Sequence, residues 1–344
     1  MALEKSELTN RKISYLMKDF YDIDVRKVSY INSGSANIYK IYSKNKVYIL
    51  KEFQKKYTKD MIEQEVIINQ HLIQKDFPTA IILPTKKGDY VLSYKGIVMH
   101  LQEYIEGEVL DPNSYPIFLM KDSAKYLAKI HEDLSDMNLL NHGMSKDKWS
   151  PKEIKRKIEQ INNLVTQYIE NTHIYDDIKK QVIKDLKYKK EFLLQNKNNI
   201  SLDKLTIKNS HGDYNTNQII IQDQKIKAVI DFTGATALPV CWEIMRSYSY
   251  SDPECKNGTI SVVNLINYIK EYLKIGNLEK YDLYNMTDFY IWQISTSLFG
   301  YKEYLENQEE ELLNFAIWRT KHQKALIDNK NYIDNEIKKI TNNC

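Results

Sequence analysis

A change of hydrophobic period near residue 110 narrows the possible folds of this chain more than any other feature. Before it, "RKVSYINS", "ANIYKIYS" and "NKVYILKEF" alternate apolar with polar residues or run β-branched, and they are parted by Gly34 and by Lys44-Asn45. That pattern predicts three consecutive antiparallel strands. "TKDMIEQEVIINQHLIQK" then carries Ile62, Val66, Ile67 and Leu72 at helical spacing. "GDYVLSYKGIVMHLQEYIEG" returns to strands, with turns at Gly88-Asp89 and Lys95-Gly96. From residue 115 onward the period is that of helices. "AKYLAKIHEDL" lines up Leu127, Ile130, His131 and Leu134 along one stripe. Ser150-Pro151-Lys152-Glu153 joins a capping serine, a proline in the first turn and a glutamate three residues on. Helical patterns follow over 154–165, 174–196, 260–274, 283–306 and 308–338. The prediction is an α+β chain, an antiparallel sheet with one inserted helix followed by a mainly helical part.

The helical part has one strand-like interruption, at 205–231, and it holds an unusual set of side chains. In "SHGDYNTNQIIIQDQKIKAVIDFTGA", Asp213 and Asp231 each sit at the end of an apolar run, and a carboxamide, Gln218, follows Asp213 by five residues. A hairpin turning at Asp223-Gln224 would bring the strand ends together. Moving a γ-phosphoryl group calls for alignment and cancellation of charge more than for covalent help. One carboxylate must orient the attacking hydroxyl and take its proton. A second carboxylate and a neutral oxygen must hold Mg²⁺ against the phosphates. Asp213 can supply the first; Asp231 and Gln218 can supply the others. Asn217 is set aside, because strand alternation would point it away. Each feature alone is more often a turn former. Their conjunction favours chemistry.

"HGDYNTNQ" and "VIDFTGA" resemble the catalytic and metal-binding segments of the aminoglycoside phosphotransferase and choline kinase group, small-molecule kinases with a protein-kinase-like fold. The resemblance implies a bilobal molecule, with residues 1–105 as the nucleotide-binding lobe and 106–344 as the catalytic and substrate-binding helical lobe. It places the catalytic aspartate on Asp213 and the metal ligands on Gln218, where the family's usual residue is asparagine, and on Asp231. It gives His211 a bracing role. The phosphate-binding lysine falls on Lys51 and its glutamate on Glu65. Ser33, Gly34 and Ser35 fall on the nucleotide-covering turn. Backbone groups from Glu103 to Ile105 would meet the purine, so ATP and GTP are equally open as co-substrate. Glu243 and Arg246 would pin the catalytic loop. The expected activity is Mg²⁺-dependent phosphoryl transfer to a hydroxyl of a small molecule, most like the aminoglycoside kinases. Choline, homoserine or a sugar are alternative acceptors, and a non-catalytic, spore-coat-like member is the alternative to an enzyme. A protein substrate is disfavoured, because no Ala-Pro-Glu element follows "IDFTGA".

The acceptor itself leaves no motif. A polycation would call for acidic residues such as Asp252, Glu254 or Glu309 to Glu311, and choline for an aromatic cage from Trp242, Tyr248, Tyr250, Tyr290 and Trp292. Gln293, Ser297 and Tyr301 share a helical stripe that could line a pocket. The net charge is +3 over 344 residues, with lysines spread among acidic residues, so no footprint for nucleic acid exists. No run reaches the roughly 18 to 20 apolar residues that span a bilayer. "MALEKSELTNRK" lacks the apolar core of a secretion signal, so no membrane partner and a cytoplasmic location are expected. Monomer and dimer stay open. The 3 cysteines form no disulfide or metal pattern.

Overall fold

In the computed structural model, which describes residues 6, 8–31, 36–141 and 143–342, strand parity builds the first sheet. β1 (Lys27–Ile31), β2 (Asn37–Tyr42) and β3 (Val47–Glu52) form an antiparallel meander. After α2 (Lys59–Gln74) come β4 (Ile82–Leu83), β5 (Leu92–Tyr94) and β6 (Ile97–Glu103). The strand order is β1-β2-β3-β6-β4, with β5 on β6, and every pairing is antiparallel. Tyr39, Ile41, Leu50, Met99 and Leu101 share an apolar cluster with Ile13, Leu16 and Met17 of a further helix, α1 (Asn10–Tyr21). A second cluster joins Phe53, Ile82 and Val91 to Ile62 and Val66 of α2. Each large aliphatic side chain so buried contributes about 1.5–3 kcal/mol. Because Lys51 follows Leu50 in an alternating strand, it points away from the first cluster, to the side that α2 covers.

The chain forms two compact units: one comprises residues up to Leu110 together with Asn217–Ala235, the other Asp111–Thr216 and Thr236 onward. The 217–235 segment in the first unit contains β8 (Ile219–Gln222) and β9 (Lys225–Val229), a hairpin closed by Asp223 and Gln224 at φ 51° and 60°. These left-handed central residues make the turn whose twist matches that of the strands. The hairpin is stitched to Glu108, whose N–H and carbonyl each bond Ile221 at 2.8 Å. Gly107 (φ +148°) allows that approach, since a Cβ there would lie 2.6 Å from Ile221 O and from Ile220 Cγ2.

The second unit contains β7 (Ile207–Ser210) paired antiparallel with β10 (Thr236–Pro239), and the helices α3 (Ile117–Asp133), α4 (Pro151–Glu170), α5 (Asp176–Gln195), α6 (Val240–Ser251), α7 (Val262–Tyr272), α8 (Lys280–Thr296), α9 (Tyr301–Asn307) and α10 (Glu310–Asn342). Ser150 caps α4 by accepting from the Glu153 N–H, with Pro151 first in the helix. Nearly all of α6 is buried, against α3, α7 and α8. Three local expectations differ from the structure. Helix α1 precedes the first strand. The pattern over 283–306 is two helices, parted after Thr296. Asn217 and Gln218 lie in a 3₁₀ turn (Thr216–Gln218) just ahead of β8, so strand alternation does not govern where they point. Among the described residues, no helix is long and apolar enough to cross a membrane.

Candidate active site

Lys51 is the hub of a charged cluster in the sheet unit. It sits on β3 in register with Ile38 of β2 and His100 of β6, and only 6% of it is exposed. Its Nζ lies 3.4 Å from Glu65 Oε1, 2.5 Å from Asp231 Oδ1 and 3.0 Å from Thr233 Oγ1. Burial by itself would depress the ammonium's pKa; Glu65 and then Asp231 outweigh it, and the net direction is upward. Burial likewise pushes the Glu65 carboxyl up, but Lys51 reverses this and holds it below its ordinary value. The two groups therefore stay ionised through neutral pH. Glu65 is buried, whereas Glu63 pairs with Lys59 on the open face of the same helix. Asp231 takes a left-handed conformation (φ 66°, ψ 63°) at the end of β9. Aspartate tolerates this better than most residues, and the kink turns its carboxylate back to Lys51 and Thr233.

Asp231 and Gln218 are neighbours in this unit, since the Gln218 carbonyl accepts the Ile230 N–H at 2.9 Å. Both side chains offer oxygen only to a metal. That donor set fits Mg²⁺, which takes one or two protein ligands and completes its shell with phosphate and water. Among the described residues, no group of three or more His, Cys, Asp or Glu could hold a metal unaided. Glu103 ends β6; its carboxylate meets Lys46 at 2.9 Å and its amide is taken by Ile81 O. The Tyr104 amide donates to Val47 O at 3.2 Å, while no hydrogen bond is made by the Ile105 amide among the described residues. An N–H left open at that place suits the edge of a purine. Ser33, Gly34 and Ser35 lie outside the described residues.

Asp213 belongs to the helical unit, in the segment that leaves β7. Gly212 (φ 80°) makes the bend there, and its N–H donates to Glu243 Oε1 at 2.7 Å. The other Glu243 oxygen lies 2.9 Å from His131 Nε2, and His131 Nδ1 lies 2.8 Å from Tyr272 OH. Glu243 is fully buried; burial raises its pKa, but the bond to His131 leads the opposing effects and the net direction is downward. His211, also buried, accepts the Asp213 N–H on Nδ1 at 3.3 Å. The Asp213 side chain is 47% exposed and pairs through Oδ1 with the Arg246 guanidinium. Burial would weaken that cation, but Tyr250 and Asp213 more than compensate and raise its pKa. The result is a fixed carboxylate, reachable from solvent, on a loop clamped by a buried histidine–glutamate pair.

Two members of these clusters are absent from the sequence reading. Thr233 stands two residues after Asp231, with Oγ1 2.6 Å from Asp231 Oδ1 and 3.1 Å from Glu65 Oε2. His100 is fully buried with Nε2 3.5 Å from Glu65 Oε2. A polar residue inside the apolar strand "IVMHLQE" was the available signal for His100. A lone hydroxyl on a turn offers none.

A family model described as the phosphotransferase enzyme family matches residues 27–260. No curated protein matches the sequence significantly. Similar solved structures include an amicoumacin kinase complexed with AMP-PNP and Ca²⁺ (13% identity, 92% of this chain and 94% of that one, TM-score 0.63). A spectinomycin phosphotransferase complexed with ADP and spectinomycin matches at 15% identity over 93% of this chain and 99% of its own, with TM-score 0.64. A microcompartment-associated aminopropanol kinase matches at 11% identity over 94% and 99%, with TM-score 0.62. At these identities the likeness is one of fold, an antiparallel sheet followed by a mainly helical part.

Proposed function

The chain belongs to the phosphotransferase enzyme family, and from that premise we propose that it transfers the γ-phosphoryl group of ATP or GTP to a hydroxyl of a small molecule, with Mg²⁺ as cofactor. The observation that carries this proposal is the buried Lys51, held by Glu65 and Asp231 in one cluster. A lysine fixed in this way presents a permanent charge to phosphate oxygens. In this scheme residues 1–105 serve the nucleotide and residues 106–344 the acceptor, except that Asp231 and Gln218, on the segment grouped with the sheet, join Lys51. The Ile105 N–H meets the purine, and Asp231 and Gln218 hold the metal. When bound, the metal neutralises charge on the phosphates. Asp213 orients the acceptor hydroxyl and takes its proton as the new O–P bond forms and the bond to the leaving diphosphate breaks. Arg246 keeps Asp213 in place, and Glu243 holds the loop through the Gly212 N–H. The nucleotide requirement fits a cytoplasmic setting.

The test is thermal stabilisation by ATP and by GTP, with and without Mg²⁺, followed by phosphate transfer to aminoglycosides, choline, homoserine and sugars. Metal-dependent stabilisation together with transfer to one acceptor class supports the proposal. Stabilisation without transfer to any acceptor points to a non-catalytic binder, and indifference to nucleotide rejects both.

A further inference from the structure

Arg319, on α10, is a largely buried cation with no ion-pair partner among the described residues. It is only 8% exposed, and its guanidinium lies 5.4 Å from the centroid of the Phe315 ring. Among the described residues it makes no hydrogen bond or ion pair. Its five N–H donors meet no acceptor among the described residues and stay open to a ligand that brings one. Lys148, in the loop ahead of α4, repeats the pattern: it is half-buried and its ammonium has no partner among the described residues. Burial, then Lys157 and Arg319, push its pKa down, so these cations lie within electrostatic reach of each other. Burial and then Arg319 depress Lys189 also, whose Nζ donates to Ile294 O at 2.8 Å. The carboxylate of that neighbourhood, Asp185, is already engaged by Gln181 at 2.9 Å, Tyr301 at 3.1 Å and Lys324 at 3.4 Å.

Arg319 is linked to Asp213 by ring contacts within the helical unit. Arg246, paired with Asp213, lies 4.7 Å from the Tyr250 ring centroid. Tyr250 meets Phe315 at 5.8 Å, and Phe315 is the ring beneath Arg319. Asp252, a candidate counter-charge for a polycation, is fully buried and consumed by the Tyr248 hydroxyl at 2.7 Å and the Glu254 N–H at 3.1 Å. We propose that the phosphate acceptor carries an anionic group of its own, a carboxylate or a phosphoryl group, and that Arg319 binds it. This rests on the phosphotransfer proposal and narrows its substrate class: a polycation would meet like charge here.

The test compares four small acceptors that share a primary hydroxyl: D-glycerate, glycerol 3-phosphate, glycerol and ethanolamine. The expected kcat/KM for at least one anionic acceptor exceeds that of glycerol and ethanolamine by about tenfold or more. Arg319→Met should raise the KM of that acceptor about ten- to a hundredfold, leave glycerol and nucleotide unchanged, and keep or raise Tm. Arg319→Lys should restore part of the loss. A preference for ethanolamine, or an equal KM increase for glycerol, overturns the anionic acceptor while leaving phosphotransfer intact. Calorimetry with glycerol 3-phosphate and with D-glycerate in the absence of nucleotide separates the other case. Arg319-dependent binding alongside no turnover and no nucleotide stabilisation rejects phosphotransfer and keeps the anion site. Failure of the wild-type chain to bind either anion rejects the anion site.

Discussion

At the scale of single residues, the carboxylates differ in what they touch, and so in what their loss should do. Asp213 is nearly half exposed and held by Arg246, which suits a group that takes a proton. Asp213→Ala should therefore lower kcat by about 10²- to 10⁴-fold with nucleotide affinity almost unchanged, as read by steady-state kinetics beside nucleotide titration. Unaltered turnover would remove Asp213 from the reaction. Asp231→Ala should instead eliminate the Mg²⁺-dependent part of nucleotide stabilisation in a thermal-shift assay. Persistence of that part would mean that the metal is held elsewhere. Glu65 and Glu63 provide an internal control two positions apart. Glu65→Gln leaves Lys51 buried with less counter-charge and should cost about 3 kcal/mol in urea unfolding. Glu63→Gln breaks an ion pair exposed at both ends and should change stability by under about 0.5 kcal/mol. Equal effects from the two would contradict the burial difference. Lys51, Asp213 and Asp231 were legible as charges at the ends of apolar runs, whereas Glu65 was singled out from Glu63 only by the family resemblance. Thr233 and His100 were not, because a hydroxyl or imidazole gains meaning only from the register that places it beside Glu65.

At the scale of elements, turns were the most readable part of the chain. Lys95 and Gly96 take φ 52° and 80°, and Asp223 and Gln224 take 51° and 60°, both pairs where polar or glycine residues part apolar runs. Asp223-Gln224 is the less comfortable pair, since glutamine gains nothing from the left-handed region. Gln224→Gly should stabilise the chain by about 0.4–1 kcal/mol and leave kinetics intact, the gain appearing as a higher urea midpoint. A lower midpoint would show that the Gln224 side chain supports the hairpin by a contact that outweighs its backbone strain. Helix α1 was harder to foresee. Its apolar residues Ile13, Leu16 and Met17 sit in a stretch dense with charge, and their value comes from the sheet beneath them. β10 is four residues ending in proline, "TALP", and becomes a strand only because β7 lies beside it. The placement of Gln218 in a 3₁₀ turn arises from a carbonyl bond to Ile230, a tertiary contact invisible to periodicity.

At the scale of the whole molecule, the order of a sheet followed by helices was legible from period alone, whereas the buried polar contacts that join distant helices were not. His322 is one of these. It lies on α10, stacks on Trp318 at 5.3 Å, and meets Ser249 Oγ of α6 at 2.9 Å through Nε2. Its Nδ1 lies 2.9 Å from the Thr259 carbonyl, which can only accept, so Nδ1 carries the proton and the neutral ring satisfies both neighbours. A second proton would have to enter a site closed to water. Burial accordingly pushes the His322 pKa from 6.5 down to about 4, against a smaller upward pull from the Thr259 carbonyl. Between those values the unfolded chain binds a proton that the folded one refuses. The stabilisation is thus complete above about pH 6.5 and is lost as the pH falls toward 4, by about 3 kcal/mol in total. Urea unfolding of the wild-type chain and of His322→Gln at pH 8, 6.5, 5 and 4.5 isolates this contribution. The variant should be the less stable at pH 8, and the gap should narrow steadily as the medium is acidified. A gap that stays constant across the series would mean that His322 takes up its proton within the fold at its ordinary pKa, and that α10 and α6 are joined by packing alone.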